Sequence, residues 1–298
     1  GYEPGASTFY EYLVKEQLIH SGWMSNTFPL ESMYRSFVDS VSHDDASRLV
    51  GEGRGARLLL MYTGGKSREL TPEMCSAGAT LALGSKYLPG HGEDIETARA
   101  AAEACFETYN STATGLAAES TPFGFTEEDI GNNNNPRREV PWPSSSSKGG
   151  DAAGAAKKKN EETRSKRALR HMLRPETAET LFVLHRITGD DKYRDRGWRI
   201  FRSVERRCRT ANGYSVLKDA TRLPREGVTA VDIDNLEDYM PSYYVSGTLK
   251  YLYLLFSPSE DYDGKDDGDD NGSGASPFSL DDFAFNTDGH VYTRERRC

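Results

Sequence analysis

The residues best suited to chemistry in this sequence lie between positions 174 and 179. Arg174 is followed by Pro175 and Glu176 and, about one helical turn later, by Glu179. Pro175 is typical of a first helical turn, where a missing N–H costs no hydrogen bond. The two carboxylates then share one face of a helix, beside its partly positive N-terminus. Such a pair can work as general acid and base, although simple stabilisation of the helix N-terminus explains the same spacing.

The elements that position these residues form a helical hairpin. Apolar residues continue at helical spacing from Leu181 to Ile187, and the tripeptide 188–190, Thr-Gly-Asp, is typical of a helix end. A second helix is predicted to follow at once, with apolar positions at Tyr193, Trp198, Ile200, Phe201 and Val204. The sequence therefore predicts two antiparallel helices with an arginine and two carboxylates at the N-terminal end of the first helix.

Three segments together resemble glycoside hydrolase family 47, the class I α-1,2-mannosidases and their relatives in glycoprotein quality control. In family order they are Leu173-Arg174-Pro175-Glu176-Thr177 with Glu179, then Gly247-Thr248-Leu249-Lys250-Tyr251-Leu252, then Phe285-Asn286-Thr287-Asp288-Gly289-His290. The resemblance implies an all-α fold, an αα-hairpin toroid of the (α/α)7 barrel type. This chain is expected to form part of such a barrel, with about three or four of its hairpins and a few short strands.

Length and composition are compatible with one domain that contains two low-complexity segments. Residues 127–166 carry runs of Asn, Ser and Lys with little apolar surface to bury, which predicts a disordered insert. Residues 258–277 are predicted to be a solvated acidic Gly/Asp-rich loop, because Phe278 stands where an EF-hand needs its bidentate glutamate. The resemblance makes residues 1–298 the C-terminal part of one mannosidase-like catalytic domain.

The charge and hydropathy of the chain argue against nucleic acid and membrane partners. A net charge of −9 leaves no basic face to balance phosphates. The longest apolar run, residues 251–256, is too short to cross a bilayer, so membrane attachment is expected only through a segment outside this chain. No signal peptide opens the sequence, and the family comparison favours a fragment.

Apolar periodicity predicts further helices and one strand. The expected helices cover residues 9–19, 30–50, 93–109 and 236–256. Pro241 is expected to break or restart the last of them, because proline lacks an N–H. A strand is predicted over residues 58–62, ahead of a Gly-Gly pair. Small residues over positions 74–84 permit close packing of a helix there.

The resemblance assigns two of the four cysteines. Cys75 and Cys105 match positions that the family pairs as a disulfide, which implies a bridge with Cα atoms about 4.4–6.8 Å apart. Two buried thiols would be the expectation for a cytosolic protein. The secretory context of the family reverses that preference and implies a location in the lumen of the endoplasmic reticulum or Golgi.

The resemblance also implies roles for residues near the start of the first helix of this hairpin. Family 47 enzymes are inverting glycosidases, and the glutamate of their Arg-Pro-Glu motif is taken as the general base, which puts that role on Glu176. Arg174 and Glu179 would line the same sugar subsite. Tyr243 would replace an aromatic residue that packs on the sugar face. The implied substrates are high-mannose N-glycans on glycoproteins.

The resemblance further implies a calcium ion. In the family one threonine binds this ion directly while waters bridge it to nearby acids, and that threonine corresponds to Thr287. The acid beside it survives in shortened form as Asp288, which would also contact substrate. Calcium prefers such hard oxygen ligands and accepts several waters.

Several acids and one histidine of the family pattern are replaced in this sequence. The substituted positions are Ser7, Thr71, Pro72, Pro241 and Gly247, and the family's proton donor lies in an N-terminal part that this chain does not contain. A mannosidase and a degenerate module that binds mannose glycans or misfolded glycoproteins both remain open, as does the choice between the processing and degradation branches. The interpretation as a plain αα-repeat scaffold is less favoured, because the hairpins do not recur with a fixed period. The isolated chain is expected to lack mannosidase activity.

Overall fold

The computed structural model describes most of the chain. The described residues are 7–20, 29–43, 47–50, 57–60, 69–122, 165–223, 231–258, 278–287 and 289–294. The predicted insert at 127–166 lies outside them except for its last two residues. The predicted acidic loop at 258–277 lies outside them except for Pro258.

Helices dominate the described part of the chain, which confirms the predicted all-α class. The α-helices are α1 (Ser7–Ile19), α2 (Leu30–His43), α3 (Ser76–Tyr87), α4 (Asp94–Asn110), α5 (Glu176–Thr188), α6 (Lys192–Arg207) and α7 (Lys250–Phe256). Short 3-10 turns cover Pro72–Cys75 and Ile233–Asn235, and a π-helix, Tyr244–Leu249, runs directly into α7. Within these described residues no helix combines the length and the apolar character needed to cross a membrane.

Short antiparallel strand pairs accompany the helices. They are β1 (Ser47–Val50) with β2 (Arg57–Leu60), β3 (Glu69–Leu70) with β4 (Thr121–Pro122), and β5 (Phe283–Phe285) with β6 (Val291–Thr293). The strand predicted at 58–62 is thus confirmed over its first three residues. The helix predicted over 30–50 is wrong for residues 47–50, which pair with β2 instead. Helical periodicity carries no information about such a partner strand.

The central hairpin begins and ends where the sequence predicts. Pro175 immediately precedes α5, and Gly189 ends it with a φ of +66°, a left-handed conformation that favours glycine. The second helix, α6, starts at Lys192. Of its predicted apolar positions, Tyr193, Ile200 and Val204 are buried, whereas 48 % of Trp198 is exposed.

Helix α3 forms the centre of the core, between α1, α4 and α5. Its small residues are buried, as the predicted close packing requires. A Cβ atom at Gly78 would lie 2.5 Å from the Thr180 side chain of α5, so glycine allows these two helices to approach each other. The predicted bridge between Cys75 and Cys105 is confirmed with a Cα–Cα distance of 5.8 Å, and it joins the 3-10 turn before α3 to α4.

The last helical segment differs from its prediction in where it starts. Residues 236–239 are extended rather than helical: Leu236 bridges to Leu217, and the Glu237 N–H donates to the carbonyl of Val216. Helical structure starts only after Pro241. Proline supplies no N–H to continue a helix from upstream but fits its first turn. The predicted break at Pro241 therefore becomes the start of the helix.

Candidate active site

A strained turn before α5 orients Arg174. Leu173 has a φ of +58° although it is not a glycine, a conformation that costs on the order of 1–3 kcal/mol and must be held by its surroundings. The hydroxyl of Thr248 donates to the Leu173 carbonyl at 2.7 Å, and the hydroxyl of Tyr243 donates to the Met172 carbonyl at 3.0 Å. Both donors belong to the irregular helix before α7, so that segment fixes the direction in which Arg174 leaves the turn.

Arg174 gathers three carboxylates around its guanidinium group. Its Nε and Nη2 lie 2.9 and 2.8 Å from Oε2 of Glu119, and its Nη1 lies 3.3 Å from Oε1 of Glu73. The same Nη1 is 3.8 Å from Oε1 of Glu176. The Tyr243 ring lies against the guanidinium at 5.9 Å from its centre. We call Arg174, Glu73, Glu119 and Glu176 the Arg174 cluster.

Within the Arg174 cluster, Glu176 is the carboxylate that is least completely paired. Its Oε2 atom is buried and makes no hydrogen bond to the described residues. Burial raises the pKa of Glu176 to about 7; Glu119 and Glu73 add to this shift, whereas Arg174 opposes it. A carboxyl group that titrates near neutral pH can accept a proton from a water molecule at that pH.

One helical turn further along α5, Glu179 lies in a different environment. The Lys15 ammonium group is 2.8 Å from Oε1 of Glu179, and the Tyr251 hydroxyl donates to the same oxygen at 3.0 Å. Lys15 also binds Glu11, one turn earlier on α1. All four residues are buried. We call Lys15, Glu11, Glu179 and Tyr251 the Lys15 cluster.

The Lys15 cluster contains one ammonium group and two carboxyl groups away from water. Burial alone would lower the pKa of Lys15, but Glu11 and Glu179 together raise it above its ordinary value. Burial raises the pKa of Glu11 to about 7, opposed by Lys15 and reinforced by Glu179. The lysine therefore stays charged, while one carboxyl group can hold a proton up to neutral pH.

Thr287 reaches the Lys15 cluster from the segment between β5 and β6. Its hydroxyl donates to Oε2 of Glu11 at 3.5 Å, and the residue is exposed. Asp288 lies outside the described residues. The structure thus places Thr287 at the solvent-facing edge of the buried carboxylates.

The predicted site residues consequently fall into two neighbouring groups connected by α5. Arg174 and Glu176 belong to the Arg174 cluster, with Tyr243 beside them. Glu179 belongs to the Lys15 cluster, which Thr287 contacts through Glu11. Glu176 and Glu179, predicted to share one subsite, have different sets of partners.

Sequence reasoning gave no site role to five members of these clusters, Lys15, Glu11, Tyr251, Glu73 and Glu119. Lys15 and Glu11 stand four residues apart on a predicted helix, which is the spacing of a helical ion pair and could have drawn attention to them. Tyr251 lies in a segment that carries the family resemblance, but the resemblance gives this residue no role. Glu73 lies where the resemblance offers no acid, and no spacing singles it out.

The replaced position at Gly247 lies beside the start of α5. A Cβ atom there would be 2.9 Å from Cβ and 3.3 Å from Cγ of Pro175, so a side chain would require the proline ring to move. Gly247 lies inside the π-helix, and such irregular turns are frequent at functional sites. A position where the resemblance expects a glutamate therefore contributes only packing next to Glu176.

The residues around Thr287 can be tested against the implied calcium ion. Within the described part of the chain, no group of three His, Cys, Asp or Glu residues could hold a metal by itself. The oxygens at the edge of the Lys15 cluster, a threonine hydroxyl and the Glu11 carboxylate, are hard donors of the kind that calcium prefers. This donor set fits an ion held by few protein atoms and several waters, and it does not form a closed protein cage.

The helical hairpins and the arginine-bound carboxylates agree with a glycoside hydrolase of the helical-barrel class. The sequence model of Glycosyl hydrolase family 47 matches residues 2–294, and the chain belongs to this family.

Curated relatives agree with this assignment. The chain is 34% identical to mannosyl-oligosaccharide 1,2-alpha-mannosidase MNS3 of Arabidopsis thaliana, over 95% of this chain and 42% of the relative. It is 30% identical to the human endoplasmic reticulum mannosyl-oligosaccharide 1,2-alpha-mannosidase, over 96% of this chain and 33% of the relative. The chain thus spans less than half the length of these relatives.

A solved structure supports the fold. The alpha-1,2-mannosidase from Trichoderma reesei superposes with a TM-score of 0.65 at 22% sequence identity, covering 97% of this chain and 51% of that structure. Its fold is the (α/α)7 barrel, so the predicted partial barrel is confirmed.

Proposed function

We propose that this chain is the C-terminal part of the catalytic domain of an inverting α-1,2-mannosidase that trims high-mannose N-glycans of glycoproteins. The observation that carries the proposal is the state of Glu176, which has one oxygen near Arg174 and one buried oxygen without a partner among the described residues. The names of the relatives, which act on mannosyl-oligosaccharides, support the substrate class.

Glu176 is the proposed general base. In an inverting reaction a carboxylate removes a proton from water, the water oxygen attacks the anomeric carbon, and an acid on the opposite side protonates the departing oxygen. The pKa of about 7 suits this role, because a general base works best when its pKa is near the operating pH. The proton donor is expected from the part of the relatives' length that this chain does not span.

The other residues of the Arg174 cluster are proposed to bind the sugar. Arg174 presents N–H donors to sugar hydroxyls while Glu119 holds it in place through paired contacts. The half-buried Tyr243 offers a flat apolar face for packing against a sugar ring. Glu179 and Asp288 are proposed to extend the same subsite toward Thr287.

Thr287 is the proposed calcium ligand, together with waters held by Glu11 and its neighbours. When bound, a calcium ion would supply positive charge that fixes sugar hydroxyls and the attacking water. The role of this chain would be to hold Thr287 and Glu11 within 3.5 Å of each other, next to the buried ammonium group of Lys15.

The lumen of the endoplasmic reticulum or Golgi is the proposed location. The bridge between Cys75 and Cys105 supports it, because disulfides persist in the secretory pathway and are rare in the cytosol. The name of the human relative refers to the endoplasmic reticulum.

A glycan-binding module without turnover is the second candidate. The loss of acids at Ser7, Pro241 and Gly247 favours it, and so does the tight contact of Gly247 with Pro175, which leaves no room for a glutamate there. This candidate retains the sugar contacts of the Arg174 cluster but assigns no proton transfer to Glu176.

One experiment tests the proposed sugar site and the role of Glu176. The purified chain is incubated with calcium and a high-mannose oligosaccharide, mannose release is followed, and binding of an α-1,2-linked mannose disaccharide is titrated in parallel. We expect binding without release, because the acid is missing and each positioned acid or base contributes roughly 10²–10⁴-fold to the rate. Arg174→Ala should abolish binding, whereas Glu176→Gln should retain most of it.

The other outcomes are equally informative. Mannose release that disappears in Glu176→Gln would show that the base is correctly assigned and that a second acid within the chain acts as donor. Release that survives this substitution would refute the role of Glu176. The absence of both binding and release would refute the sugar site.

A further inference from the structure

A surface recess between α4 and α6 lies apart from both carboxylate clusters. It has a volume of about 220 Å³ and is bounded by the last turn of α4, the loop 112–115 and one face of α6. None of its lining residues belongs to the Arg174 cluster or to the Lys15 cluster. The proposed mannosidase reaction therefore does not account for it.

Three arginines of α6 line this recess. Arg206 and Arg207 follow Arg199 by seven and eight residues, about two helical turns, so all three lie toward the side of α6 that faces the recess. None of the described residues that line the recess is an aspartate or glutamate, although acidic residues exceed basic ones and the net charge of the chain is −9. The recess is thus a local concentration of positive charge on an acidic protein.

The guanidinium groups of these arginines are available to a ligand. Arg199 is positioned by Phe106, whose ring centre lies 5.0 Å from the guanidinium carbon, and by the side-chain oxygen of Asn110, which accepts a hydrogen bond at 2.6 Å. No ion pair joins Arg199, Arg206 or Arg207 to a carboxylate within the described part of the chain. Their remaining N–H donors therefore face solvent or the recess.

The shape of the recess depends on a close approach of the loop to α6. Gly115 has a φ of +74°, and a Cβ atom there would collide with the Ser203 hydroxyl of α6. Cations in a last helical turn are stabilised by the helix dipole, which is a sufficient reason for Arg206 and Arg207. The dipole explains neither Arg199, two turns earlier, nor the loop that closes the recess beside it.

We propose that this recess binds a phosphate or sulfate group, either as the free anion or as a monoester on a sugar. Guanidinium groups donate paired, charge-assisted hydrogen bonds to the oxygens of such anions, in a geometry that an ammonium group cannot reproduce. A tetrahedral oxyanion offers enough oxygens to be shared by three arginines. The site requires neither a carbohydrate at Glu176 nor a metal ion.

Calorimetric titration of the purified chain tests this proposal. The probes are inorganic phosphate, glucose 6-phosphate and unphosphorylated glucose. We expect both phosphates to bind and glucose not to bind at this site. Substitution of Arg206 or Arg207 by Ala should weaken phosphate binding about tenfold, because it removes charge-assisted hydrogen bonds to the anion.

Two further variants make the test specific. Arg202→Ala removes an equal charge from an exposed part of α6 that does not line the recess, where Arg202 lies over Trp198, and it should retain wild-type affinity. Arg206→Lys keeps the charge and should bind more weakly than the wild type, because lysine lacks the paired donors.

The two phosphate probes distinguish the source of the anion. Tighter binding of glucose 6-phosphate than of inorganic phosphate would indicate that the ligand is a monoester, and equal affinities would indicate the free anion. Failure of both phosphates to bind, or an equal loss in Arg202→Ala, would overturn the proposal.

Discussion

Glu176 and Glu179 have the same side chain, lie on the same helix and are one turn apart, yet they differ in how completely their carboxylates are paired. Glu176 shares an arginine with two other acids and keeps one buried oxygen that no residue in the described part of the chain contacts by a hydrogen bond. Glu179 directs an oxygen to both a fully buried lysine and a buried tyrosine hydroxyl. The first arrangement leaves a carboxyl group free to exchange a proton, whereas the second uses the carboxyl group to stabilise the fold.

The difference between the two glutamates arises from partners on other segments. Arg174 is partly exposed, so solvent screens its charge. Its N–H donors are also shared among three carboxylates. Lys15 is 2 % exposed, and in such surroundings its attraction to a carboxylate is much less screened. We infer that the Arg174 cluster serves sugar binding and proton transfer, whereas the Lys15 cluster contributes to stability and supports the proposed calcium site beside it.

The substitution with the largest expected effect is Lys15→Met, which breaks the Lys15 cluster. It leaves the carboxyl groups of Glu11 and Glu179 buried without their cation, and loss of one partner of a buried ion pair typically costs about 3–5 kcal/mol. Denaturant unfolding of the chain measures this change. The matched control is Lys86→Met, because Lys86 pairs with the half-exposed Asp281 and should contribute only about 0–1 kcal/mol. Equal losses in the two variants would contradict the comparison.

An intermediate effect is expected from Glu176→Gln, and it depends on pH. The pKa of Glu176 in the folded chain, about 7, lies above its ordinary value of 4.5, so the native state binds this proton more tightly than the unfolded chain does. The resulting stabilisation is complete below pH 4.5 and is lost as the pH rises through 7. Glutamine removes this dependence, so that between acid and neutral pH the variant should gain about 1–3 kcal/mol relative to the wild type.

The measurement is the free energy of unfolding across this pH range, with Glu179→Gln as the matched variant. Glu179→Gln weakens charged hydrogen bonds to Lys15 and Tyr251 and should lower stability by about 1.5–3 kcal/mol at neutral pH. Parallel pH profiles for Glu176→Gln and the wild type would show that the pKa of Glu176 is not raised.

The smallest expected effect is that of Tyr243→Phe. This substitution removes the hydroxyl that donates to the Met172 carbonyl at 3.0 Å but keeps the ring beside Arg174. Stability should fall by about 1 kcal/mol, the usual contribution of one hydrogen bond. Affinity for the mannose disaccharide should fall further in Tyr243→Ala than in Tyr243→Phe, if the ring packs on the sugar. Equal affinities in the two variants would assign Tyr243 to the support of the turn alone.

The sequence by itself determined the features of this protein that depend on single residues and short motifs. Pro175 and Gly189 predicted the two ends of α5, because their backbone preferences act locally. The family motifs predicted the helical barrel and the bridge between Cys75 and Cys105, both of which are confirmed. Small residues in α3 predicted the close helix packing at the centre of the core.

Only the tertiary structure decided which glutamate is paired and which strand partners exist. Lys15 and Glu179 are 164 residues apart in the chain, and Tyr251 approaches the same oxygen from a third segment. Residues 47–50 became a strand because β2 supplied the backbone partners. Desolvation and charge pairing depend on all atoms that surround a group in space, whatever their distance along the chain. For that reason the equal spacing of Glu176 and Glu179 on one helix could not reveal their different environments.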